Sequence, residues 1–158
     1  MNISTVIGEL SAENLDDRHA AVAKIAHLAE TDQKLIIPQI LVALKSADMN
    51  VRWYLGRALI KIGPAVMPYL VTSSEKETDM TIQKYYGAVF AAFGEEAIPT
   101  LVGLFASKNP TTRGMSAAAL ERIGEPSVPA LVEAAHSEDM IISACAKLTL
   151  GKFQIYDY

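Results

Sequence analysis

A chain of 158 residues that is 51% apolar and 20% charged can bury a sizeable core, which excludes a disordered segment. Its net charge of −4 argues against a protein that lives on phosphate backbones, because such binding needs a net basic face. A single cysteine, Cys145, excludes an internal disulfide and a Cys-rich zinc site; with no basic leader and no apolar run of membrane-spanning length, a cytoplasmic protein without signal peptide or membrane span is expected.

In chain order, residues 1–15 open with an expected capping helix over 2–11. Residues 16–47 read as a degenerate helix pair, Asp16 to Leu28 and then Ile36-Ile37-Pro38-Gln39-Ile40, with Thr31-Asp32 where later units carry a glycine. From there the pattern recurs over 48–78, 79–108 and 109–138, and a final half copy occupies 139–158. The unit starts Asp48, Asp79, Asn109 and Asp139 are spaced 31, 30 and 30. Gly63, Gly94 and Gly124 are spaced 31 and 30, and Pro38, Pro68, Pro99 and Pro129 are spaced 30, 31 and 30. Three independent markers on one period define a repeat rather than a coincidence.

The residue types predict two helices per unit. Asp and Asn at the starts are good N-caps, since their side-chain oxygens accept from the orphan N–H groups of a first turn. Val51, Leu55, Ala58, Leu59 and Ile62 then follow at helical spacing. The glycines end that helix. Pro68, Pro99 and Pro129 fall in the first turn of the next, where a missing N–H breaks no helical hydrogen bond. The last copy keeps only its first helix before residues 154–158. That unpaired helix, with Ile141, Ile142, Leu148 and Leu150, is a candidate for pairing with a second copy of the chain.

The run Asp48-x-x-Val51-Arg52 to Ala58-Leu59-Ile60-Lys61-Ile62-Gly63, followed by Pro68-x-Leu70, resembles the short HEAT-like repeat named after phycobilisome-lyase-type proteins, and the likeness extends from residue 16 to residue 153. Gln83, Thr112 and Ser143 depart from the Val-Arg pair, and Gly87 and Lys147 stand where a small alanine is usual. The resemblance implies an all-α, right-handed α-solenoid, or superhelix, of about five two-helix repeats forming one domain over 1–158, used as a binding surface. It also implies that the first helix of each unit lines the concave side and makes partner contacts.

Catalytic and metal chemistry find little footing. His19, His27 and His136 lack the neighbouring carboxylates of a di-iron pattern, so no metal site is expected. Cys145 lies mid-helix among small residues and reads as a small hydrophobe; no glycine-rich phosphate loop is present, and no cofactor is expected. The informative set is the fifth and sixth residues after each cap, expected to face away from the core of their own helix pair: Trp53 and Tyr54, Lys84 and Tyr85, Gly114 and Met115, Ala144 and Cys145. With Arg57 one turn beyond Trp53, the candidate partner-binding residues are Trp53, Tyr54, Arg57, Lys84, Tyr85 and Met115. The same side chains have a second reading, as packing between neighbouring first helices. Arg52 and Arg113 read as loop-bridging residues.

The expected function is therefore a non-enzymatic scaffold or adaptor for a protein partner. A chaperone-like subunit of a phycobilin chromophore lyase is the alternative that the resemblance offers. A DNA-lesion enzyme is a distant third, opposed by the charge and by the apolar stripe.

Overall fold

The computed structural model describes residues 2–158, which form ten α-helices and no strand. Helix α1 spans Ile3–Glu9, α2 Leu15–Thr31, α3 Gln33–Ser46 and α4 Met49–Ile62. Helix α5 spans Met67–Lys76, α6 Met80–Ala92, α7 Ile98–Gly103, α8 Pro110–Ile123, α9 Val128–Ala135 and α10 Met140–Lys152. Two compact units are formed, residues 1–69 and residues 70–158.

Local chemistry accounts for the helix boundaries. Asp48 accepts from the Val51 N–H at 2.9 Å, Asp79 from Thr81 at 2.8 Å, Asn109 from Thr111 at 3.0 Å and Asp139 from Ile141 at 2.9 Å. Each such cap stabilises its helix by about 1 kcal/mol. The degenerate unit is capped by Asn14, two residues ahead of the expected start, and its second helix by Asp32, which stands where the other units have glycine. Gly63, Gly94 and Gly124 take φ of 103°, 62° and 92°, a region that side chains disfavour. A short 3₁₀ turn follows each of them, over Pro64–Val66, Gly94–Ala97 and Glu125–Ser127, so the second α-helix starts a turn later than the glycine suggests. Pro38 differs from the other prolines in lying inside α3.

In the first unit α2 is the hub, packing on α1, α3 and α4. Val6, Leu10, Ile25, Ile37, Ile40, Leu44, Leu55 and Leu59 are fully buried there. In the second unit α8 is the hub, packing on α6, α7 and α10, while α9 packs on α7 and α10. Tyr86, Phe90, Leu101, Phe105, Leu120, Leu131 and Leu150 form its core. First helices thus lie side by side, α2 with α4 and α6 with α8. This contact decides which outward positions stay free.

Candidate binding surfaces

The six candidate residues fall into two groups, Trp53, Tyr54 and Arg57 in the first unit and Lys84, Tyr85 and Met115 in the second. On α4, Trp53 is 53% exposed, and the Arg57 guanidinium lies over its ring at 5.7 Å, one turn along the helix. An exposed contact of this kind is worth about 0.5–1 kcal/mol, enough to bias the indole toward one orientation. The Trp53 ring also stands at 90° to that of Tyr54, 5.0 Å between centroids.

Tyr54 itself is not a surface residue. It is 7% exposed and packs onto α2, where the His19 ring meets it edge-on at 6.1 Å and the Arg18 guanidinium lies 5.8 Å from its centroid. Arg18 is held in turn by its Nε donating to the Ala12 carbonyl. Met115 corrects the expectation in the same way. It is 3% exposed and sits against α6, so close that a methyl group built at Gly87 would lie 3.3 Å from the Met115 Cγ. The physical reason is common to both. The sixth position after the cap faces away from the helix's own partner but toward the first helix of the preceding repeat, which covers it. Cys145, at the same position of α10, is half-buried; burial raises its thiol pKa, with the nearby Arg113 partly offsetting.

Lys84 is exposed and Tyr85 half-buried on α6. Lys84 and Met115 both line a groove of about 310 Å³ between α6 and α8, with Met80, Gln83, Gly87, Ala88, Gly114, Ala118, Ala119 and Arg122. Sequence reasoning missed Gln83 and Arg122. The only sequence signal at Gln83 is that it stands four residues after its cap, where Arg52 and Arg113 stand in their units.

Gln83 is fully buried, and its amide Nε2 donates to the carbonyls of Ser74 at 2.8 Å and Glu77 at 3.0 Å. Thr112 Oγ1 donates to the same Ser74 carbonyl at 2.6 Å and Thr111 Oγ1 to that of Glu77 at 2.7 Å. Two carbonyl acceptors fix which end of the amide is nitrogen. The Gln83 Oε1 is left buried without a hydrogen-bond partner among the described residues.

Among the described residues no three His, Cys, Asp or Glu side chains group so as to hold a metal ion, and no helix is long and apolar enough to cross a membrane. What both surfaces offer is apolar area bordered by cations. The chain matches no protein-family model and no curated protein.

Proposed function

We propose that the chain is a non-enzymatic, HEAT-like α-solenoid that works in the cytoplasm as an adaptor, binding a protein partner through the first-helix face that lines the concave side in the proteins it resembles. The observation that carries this reading is Trp53: a large aromatic ring half in solvent, braced from below by buried Tyr54 and from the side by Arg57. Tryptophan, tyrosine and arginine are the residue types in which binding energy concentrates, and a ring already held in place loses little entropy on docking. Tyr54 therefore acts as support for the contact surface rather than as part of it.

The test compares partner capture by the wild-type chain with capture by Trp53→Ala and Arg57→Glu, each checked for unchanged helicity by circular dichroism. Proteins retained by the wild type should be lost from Trp53→Ala and reduced with Arg57→Glu; undiminished capture by both overturns the reading. Trp53 is the single tryptophan of the chain. Its fluorescence should therefore shift on titration with a captured partner.

A further inference from the structure

The groove between α6 and α8 is unlike a gap left by imperfect packing. Its walls are small, with Gly87, Ala88, Gly114, Ala118 and Ala119, and a methyl group built at Gly114 would meet no atom within 4 Å. No carboxylate lines it, although Asp and Glu outnumber Lys and Arg by 18 to 14 in the whole chain. Lys84 and Arg122 do line it, both exposed and neither in an ion pair among the described residues.

The contacts Gln83 to Thr112 and Gly87 to Met115 advance together along both helices, so α6 and α8 run parallel. Lys84 therefore stands near the N-terminal end of the groove and Arg122, in the last turn of α8, at its other end. At 1.5 Å per residue the two are roughly 15 Å apart along the axis. Gln83, one residue before Lys84, lines that same end and is fully buried, its Nε2 tied to the Ser74 and Glu77 carbonyls.

We propose that this groove takes a short acidic, apolar peptide segment of the partner, with carboxylates meeting Lys84 and Arg122 and an apolar side chain filling the open bay at Gly114. A peptide satisfies both demands together, since one backbone carries carboxylate and apolar side chains side by side. Met80, which is exposed, suits such an occupant because an unbranched thioether side chain repacks around variable apolar shapes. The inference deepens the reading of the chain as an adaptor and rests on it.

The experiment is a selection of a random dodecapeptide library on the full chain, with Gly114→Leu as the parallel bait. That substitution fills the open bay on a helix whose backbone it does not strain, and circular dichroism checks that the helices are kept. Peptides enriched on the wild-type chain should combine Asp or Glu with apolar residues. They should bind Gly114→Leu at least tenfold more weakly and Arg122→Glu severalfold more weakly, with the Arg122 contribution shrinking as salt is raised. Enrichment that is equal on both baits, basic peptides, or affinity unchanged by Arg122→Glu overturns the proposal. Because Trp53 lies in the other unit, partner capture that depends on Trp53 but not on Gly114 leaves the adaptor reading standing and removes this groove alone.

Discussion

Arg18, Arg52, Gln83, Arg113 and Ser143 each stand four residues after a helix cap, and each donates to a carbonyl at the end of the preceding segment. Arg52 reaches Leu44 and Lys45 at 2.9 Å each, Gln83 reaches Ser74 at 2.8 Å, Arg113 reaches Ser107 at 2.7 Å and Ser143 reaches Ala135 at 2.7 Å; Arg18 donates to Ala12. A helix end leaves carbonyls without partners, and a donor in the first turn of the next helix supplies one. Gln83 and Ser143 therefore do the work of the arginines they replace. Replacing Gln83 by Ala strands the buried amide partners, so we expect a loss of about 1–3 kcal/mol in urea unfolding; a change under about 0.5 kcal/mol would contradict the assignment.

Tyr86 carries the pH dependence at the same scale. Burial, with the Glu77 carboxylate adding and Ser73 partly offsetting, pushes its hydroxyl up to about 12. The folded chain thus holds this proton where the unfolded chain, at about 10, releases it. The stability it contributes is complete below about pH 10 and is lost as pH rises toward 12. A Tyr86→Phe chain should show a shallower alkaline fall than the wild type in denaturant midpoints between those values, and parallel curves would rule the linkage out.

Among elements, α6 and α8 show how one residue type serves opposite purposes. Gly114 lies on an exposed turn of α8 with open space around it, so Gly114→Ala should stabilise by about 0.5–1 kcal/mol through helix propensity alone. Gly87 lies under Met115, and an added methyl must displace the Met115 side chain from 3.3 Å. Gly87→Ala should therefore gain less than Gly114→Ala or lose stability, and thermal melts of the two chains decide the order. Neither helix alone reveals this difference, because both glycines interrupt similar helical patterns.

At the scale of the molecule, α10 carries the last cap on the common period, Asp139. Its apolar residues fall on two faces: Leu150 is fully buried whereas Leu148, two residues and about 200° away, is 75% exposed, with Ile141 also exposed. Leu150→Ala should cost about 2–5 kcal/mol. Leu148→Asp should leave stability within about 0.5 kcal/mol of the wild type. If copies of the chain associate through α10, light scattering will show Leu148→Asp as the less associated form; equal masses for the two chains would remove that contact.

The caps, the glycine helix ends and the second-helix prolines were legible in the sequence because each is a short-range interaction, completed within a few residues of chain. Their common period made the all-helical architecture legible as well. The fates of Tyr54 and Met115 were not legible, nor were the groove and the unpaired Gln83 oxygen. These depend on pairing between first helices about 30 residues apart in sequence, and the periodicity of a single helix specifies which faces are apolar but not which neighbour covers them. The sequence by itself determined where helices begin and end and which side chains could serve binding; tertiary packing alone decided that Trp53 and Lys84 remain in solvent while Tyr54 and Met115 are spent on holding adjacent repeats together.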